Sequence, residues 1–406
     1  MALRYIPLAL KYNPVPQTEH FALLTGLEAC VRGVLVSAMP LAIYRTLGDA
    51  QSTSLAYLVA GFAGLFCGLM VPVVTRHLPR RWTYTLGVVL YLLGMTLALY
   101  GTPFAMILAL CCNAFATATV FICLNAYVLD YVDRSRLGHS QGMQMAYAAV
   151  PWTLGPVLGV WLYDRWPAAP FLVAGGFALV LLAVFWWLRL GNGRQIARAR
   201  KPAVNPLGFL AQFFRQPRLI AGWLFAVTRS AGWWVYIVYL PIYCVEAGLS
   251  DKVGGFALSL SNGFLFLAPV INRIARRMSV RRSVRLAFLW GGGLMLAAWA
   301  FAALPWLVVF IAFGASLCFL TLDVVGGLPF LMAVKPSQRT EMAAVYTTFR
   351  DVSGILTPAV AWGVLFFTPV SGLFAAMGLA MLACWQMAGH LHPRLGAERP
   401  SRGGTP

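Results

Sequence analysis

Apolar residues in this chain come in long runs, unlike the alternating or one-faced patterns of water-soluble strands and helices. A run of about 20 residues, rising 1.5 Å per residue as a helix, crosses the hydrocarbon of a bilayer. Runs of that kind fall at 21–45, 53–75, 83–101, 104–129, 141–163, 168–190, 219–245, 253–273, 286–304, 305–334, 342–367 and 371–389. The pattern therefore predicts an all-α integral membrane protein with twelve transmembrane helices. Tight turns are expected at Tyr100-Gly101-Thr102-Pro103 and Leu304-Pro305, where Gly and Pro break the helical run.

The longest polar interruption is Leu188 to Arg218, which holds seven cations (Arg189, Arg194, Arg198, Arg200, Lys201, Arg215, Arg218) and no Asp or Glu. Lys and Arg are retained on the cytoplasmic side, so this linker is expected there, together with both termini. The halves flanking it repeat one plan. Pro40 corresponds to Pro241 at an offset of 201, Arg80-Arg81 to Arg281-Arg282 at 201, and Gly155-Pro156 to Thr357-Pro358 at 202. A constant offset at three landmarks marks a duplicated six-helix unit. The expected organisation is a six-helix bundle at 1–190, a basic linker at 191–218, a second bundle at 219–390 and a disordered cytoplasmic tail at 391–406.

Composition narrows the class. Hydrophobic residues make up 60%, charged residues 11%, and the mean hydropathy is +0.75, which excludes a soluble domain of this length. The net charge of +19 raises a nucleic-acid role, but 25 of the 31 Lys and Arg lie in loops on the linker's side. Only Arg45, Arg165 and Lys252 lie in the opposite loops, which is the positive-inside distribution and argues against nucleic acid. Just four cations are Lys (Lys11, Lys201, Lys252, Lys335), a bias associated with GC-rich bacterial genes. The expected location is thus a cell inner (plasma) membrane, as a multi-pass monomer. Glu28 and Arg32 interrupt the first apolar run, unlike a signal-peptide core. The eight Cys lie in or at the ends of apolar runs without CxxC spacing, and read as packing residues. No HExxH, GxSxG on a strand, phosphate-binding glycine loop or metal-ligand spacing occurs, so neither an enzyme nor a cofactor or metal is expected.

Twelve helices in a six-plus-six repeat, a basic central loop, and the basic turn Thr75-Arg76-His77-Leu78-Pro79-Arg80-Arg81 resemble the major facilitator superfamily of secondary transporters over essentially the whole chain. The resemblance implies two six-helix bundles related by pseudo-two-fold symmetry. It also implies a gating role for Arg76, Arg80, Arg81 and their repeats Arg281 and Arg282, with Asp130 the expected acidic partner and Asp133 the runner-up. Thr75 and Pro79 replace the Asp and a Gly of the family's signature. Gly142, Gly155, Pro156 and Gly159 match part of the antiporter motif of the fifth helix and are equally suited to close helix packing. Helices 1 and 7 face the central cavity in this family, which implies that Arg32 and Arg229 converge near the midplane, a placement like that of organic-phosphate exchangers.

Six ionisable residues fall within the apolar runs: Glu28, Arg32, Arg229, Asp323, Arg350 and Asp351. At about 2.5 to 3.5 kcal/mol per charge, lipid exposure of the set would cost on the order of 15 to 20 kcal/mol. They must pair with one another or face water. If they only pair, they specify packing. If they serve function, Arg32, Arg229 and Arg350 with Trp233, Tyr236, Asn262 and Tyr346 bind solute, and Glu28, Asp323 or Asp351 carries a proton. Without a nucleotide site, work would come from a gradient by alternating access. Three functions remain open: a secondary transporter for a small, polar or anionic organic solute driven by protons or exchange; a multidrug or lipophile exporter by proton antiport; and a non-transporting sensor or lipid-handling protein.

Overall fold

The structure, a computed structural model, describes residues 18–132, 137–188, 213–267, 270–271, 273–274, 278–326, 330, 342, 345–346 and 348–390. The side chains of 72, 73, 76, 129, 137–139 and 265 lie outside that description. The linker up to residue 212, the C-terminal tail from residue 391, Asp133 and the side chain of Arg76 are therefore not placed.

The described residues form twelve helices, arranged as two six-helix bundles, and no strand. The first six are α1 (Thr18–Leu47), α2 (Ala50–His77), α3 (Arg80–Leu99), α4 (Pro103–Tyr131), α5 (Leu137–Arg165) and α6 (Ala169–Trp187). Helix α7 runs over Pro217–Trp234, loosens into a π-helical turn at Val235–Tyr239, and continues over Leu240–Glu246. There follow α8 (Lys252–Gly263, extended by a 3-10 turn at Phe264–Leu267), α9 (Val280–Ala300), α10 (Pro305–Val325), α11 (Phe349–Val364) and α12 (Gly372–Ala388). Eight of the described helices are long and apolar enough to cross a membrane. The outer surface is apolar too: Phe62, Phe66, Leu69, Trp290, Phe310 and Phe367 are all more than half exposed. A surface of that kind calls for lipid as its solvent, and the protein is a multi-pass membrane protein.

Several elements depart from their sequence-based extents. The π turn in α7 follows from Pro241, which has no N–H to give residue 237 and whose ring crowds that carbonyl. The Leu240 N–H instead reaches the Val235 carbonyl, five residues back. Helix α8 was expected to continue to residue 273, but regular α-helix stops at Gly263, after Asn262, two weak helix formers in succession. Helix α10 is continuous to Val325 and α11 is continuous from Phe349, and of the described residues between them Phe330, Met342, Val345 and Tyr346 are helical. The two expected tight turns are present: Gly101 adopts φ +64°, and Thr102 and Leu304 cap helices that begin with Pro103 and Pro305.

The chain divides into two compact units at the linker, with Gly48–Leu58, the start of α2, grouping with the second. In the first unit α1 is central, packing along α5 and also touching α4 and α6. In the second unit α9 packs between α10 and α12, and α7 lies against α11. A repeat landmark missed in the sequence is the pair Gly48 and Gly248, which follow α1 and α7 with φ of +84° and +77°. At Gly248 the Leu249 N–H closes onto the Cys244 carbonyl at 2.8 Å, a helix-ending turn that needs a left-handed residue. Replacing either glycine by Val is expected to cost about 1 to 2 kcal/mol, read as a lower melting temperature of the detergent-solubilised protein.

Candidate functional site

Arg229 and Trp233 stand one turn apart on α7, and the aligned face of α10 presents Asp323 to both. Arg229 Nε lies 2.9 Å from Asp323 Oδ1, and Trp233 Nε1 donates to Asp323 Oδ2 at 2.7 Å. The Nε–H is not aimed at the carboxylate, so the Arg–Asp contact is an ion pair by distance and not a formed hydrogen bond. The guanidinium lies 5.0 Å from the Phe349 ring centre, and Trp233 meets Phe319 edge-on at 5.8 Å. Exposure is unequal within the pair: the Arg229 side chain is 12% exposed and that of Asp323 36%. The acid opens to the exterior of its unit while the base is held among aromatic rings.

The other predicted solute contacts are placed as follows. The Tyr236 hydroxyl shares a 2.6 Å hydrogen bond with Ser261 and donates to the Ala257 carbonyl at 3.1 Å, and the residue is 2% exposed. Ser316 donates to Ser261 in turn. Tyr236 is therefore a tie between α7, α8 and α10. Asn262 is half-buried. Tyr346 stacks on Phe330 with ring centres 4.0 Å apart and also packs against Phe349. Arg350 and Asp351 are both exposed, in the first turn of α11. Arg350 still lies near enough to act electrostatically on Asp323.

The first unit holds its own polar cluster. Glu28 and Arg32 pair across one turn of α1 at 3.3 Å, and the Arg32 guanidinium lies 5.1 Å from the Trp152 ring centre on α5. The Tyr91 hydroxyl of α3 reaches Glu28 at 3.2 Å and Thr117 of α4 at 2.9 Å. Buried Asn113 Oδ1, one turn from Thr117, has no hydrogen-bond partner among the described residues. Each unit thus pairs an acid within an apolar run with a base of the same unit. Spacing on one helix made Glu28–Arg32 foreseeable, whereas Tyr91, Thr117, Trp152 and Phe349 come from other helices and carried no local signal.

At the basic turn of the first unit, Arg80 pairs with Asp130 and lies 5.3 Å from the Tyr127 ring centre. Arg81 is half-buried. In the second unit Arg281 donates to the Gly389 carbonyl at 2.5 Å, and Arg282 is exposed. The residue corresponding to Asp130, at the offset of 201, is Leu331. Of the fifth-helix residues, Gly155 and Gly159 meet α1 backbone to backbone: a Cβ on Gly155 would strike Gly33, and one on Gly159 the Val34 carbonyl. The Pro156 carbonyl accepts from Ser37 at 2.6 Å. Gly142 takes no part, because a Cβ there would meet nothing within 4 Å. Among the described residues no group of His, Cys, Asp and Glu could hold a metal ion.

Comparison with known proteins agrees with this architecture. Residues 21–358 match the sequence profile of the Major Facilitator Superfamily. Similar solved structures include the nucleoside transporter NupG (TM-score 0.68, 16% identity, covering 92% of this chain and 98% of that one). A peptide transporter POT in complex with sulfate gives a TM-score of 0.74 at 15% identity, covering 93% and 95% of the two chains. A POT family transporter in complex with 5-aminolevulinic acid gives 0.71 at 13%, covering 92% and 96%. No curated protein sequence matches.

Proposed function

The chain belongs to the major facilitator superfamily of membrane transporters, and from that premise we propose that it is a secondary transporter of a small organic anion, coupled to a proton carried by Asp323. The observation that carries the reading is the Arg229–Asp323–Trp233 cluster, in which the acid is the more exposed partner. An Arg fork suits a carboxylate or phosphate, but here a carboxylate already neutralises it. A solute anion and Asp323 therefore compete for Arg229. Protonation of Asp323 removes its charge and weakens its hold on the guanidinium, so solute binding tightens as the acid takes up a proton. Release of the proton returns the carboxylate to Arg229 and expels the anion. That exchange is a coupling device, since the loaded states are either solute with proton or neither.

Other residues take supporting parts in the proposal. Glu28 and Arg32, already paired and tied to Tyr91, form a second site of the same kind in the first unit. Arg350 adds positive charge near Asp323. The Arg80–Asp130 pair holds the α2–α3 turn to the end of α4 and serves as a gate latch. The cell inner membrane, with the linker and termini in the cytoplasm, is the proposed setting. A second reading, export of lipophilic cations, is favoured by the ring cluster of Trp233, Phe319 and Phe349 beside a partly exposed acid.

The test is the melting temperature of the purified protein against organic anions, nucleosides, short peptides and lipophilic cations, at two pH values. A ligand present at 100 times its dissociation constant stabilises by about 2.7 kcal/mol. Stabilisation by an organic anion, larger at the lower pH and lost in Arg229→Ala, is the expected result. Stabilisation by lipophilic cations that survives Arg229→Ala would replace this reading with export.

A further inference from the structure

The two basic turns are repeats in sequence but not in charge balance. Arg80 has Asp130, whereas in the second unit the corresponding position is Leu331, and no carboxylate lines the cleft beside Arg281, Arg282 and Arg285 among the described residues. That cleft, about 500 Å³, lies between the start of α9 and the end of α12. Its rim is cationic and its wall apolar, formed by Leu286, Leu289 and Trp385. Arg281 is spent on the Gly389 carbonyl, which ties the two helix ends together. Arg285 is held 5.4 Å from the Trp385 ring centre, and its buried Nε has no hydrogen-bond partner among the described residues. Arg282 is exposed, and its backbone N–H is capped by Ser279 at the helix N-terminus, where the macrodipole adds further positive potential.

We propose that this cleft binds the phosphate of an anionic phospholipid. The vertical order of the groups supports lipid over a free anion. Leu286 and Leu289 follow Arg282 by four and seven residues on α9, about 6 and 10 Å deeper at 1.5 Å per residue. The arginines thus sit at headgroup depth and the leucines and Trp385 where acyl chains begin, on the linker's side of the membrane. Basic pockets between helix ends on that side bind anionic headgroups through such contacts. The exposed Arg282 side chain and the guanidinium of Arg285, both lining the cleft, supply donors that phosphate oxygens accept. At the matching turn of the first unit Asp130 places a carboxylate against Arg80.

The experiment uses the full chain in neutral phosphatidylcholine nanodiscs or detergent, titrated with phosphatidylglycerol, phosphatidylcholine or inorganic phosphate, with retained lipid counted by native mass spectrometry. The expected result is preferential retention of phosphatidylglycerol, reduced roughly 30-fold in Arg282→Gln/Arg285→Gln if each arginine contributes about fivefold. Lys252→Gln, in the opposite loops, keeps the preference. Arg282 is exposed, so Arg282→Gln alone carries the test, with a smaller loss, should the double variant not fold. Equal retention of the two lipids, or a preference unchanged in these variants, overturns the proposal. Inorganic phosphate displacing phosphatidylglycerol at equal concentration overturns the lipid assignment and leaves a free-anion site.

Discussion

Arg229→Ala is expected to abolish accumulation of the transported solute and to weaken its binding by at least about thirtyfold, the loss that follows truncation of a largely buried charge that a bound anion would pair with. The variant removes the ion-pair partner of Asp323 and leaves the Trp233 indole bond, so some loss of stability accompanies the loss of transport. Asp323→Asn separates the two. Its amide is close to the shape of the carboxylic acid but cannot release a proton. Solute exchange between the two sides of a proteoliposome should therefore persist in Asp323→Asn, while uphill accumulation driven by a pH gradient disappears. Retention of pH-driven accumulation in Asp323→Asn would remove the proton from this site. If both variants lose exchange equally and are fully folded, Asp323 contacts the solute and does not merely compete with it.

Gly159→Val is expected to be the most disruptive small substitution in the first unit, because the added Cβ overlaps the Val34 carbonyl and lies 3.1 Å from Ser37 Oγ. Backbone cannot swing aside as a flexible side chain can, so α1 must separate from α5. Separation also removes the hydrogen bond from Ser37 to the Pro156 carbonyl and the close approach of Gly33 to Gly155. Overpacking of this kind costs about 1 to 3 kcal/mol and more where backbone is struck. The measurement is folded yield by size-exclusion chromatography together with melting temperature. Gly142→Val on the same helix is the control, since space around it is open. It should lie within about 0.5 kcal/mol of the parent. Equal destabilisation by the two would mean that Gly159 acts through helix propensity and not through contact with α1.

The behaviour of these residues divides along a physical line. Runs of apolar residues, their lengths and the Gly and Pro between them determined the number and order of the helices from sequence alone, because a helix in lipid must satisfy its backbone hydrogen bonds within itself. The repeat was legible for the same reason: Pro40 and Pro241 act on their own helices. The pairing of Glu28 with Arg32 was legible because both stand on one helix face. Only the tertiary structure decided the rest. Trp233 and Arg229 share Asp323 because α10 lies against α7, and Tyr236 is used up by Ser261 because α8 does. Gly155 and Gly159 meet α1 while Gly142 does not, although all three belong to one motif. Local hydrogen bonding and hydrophobicity are properties of a segment, whereas a shared carboxylate or a backbone contact is a property of which segments become neighbours.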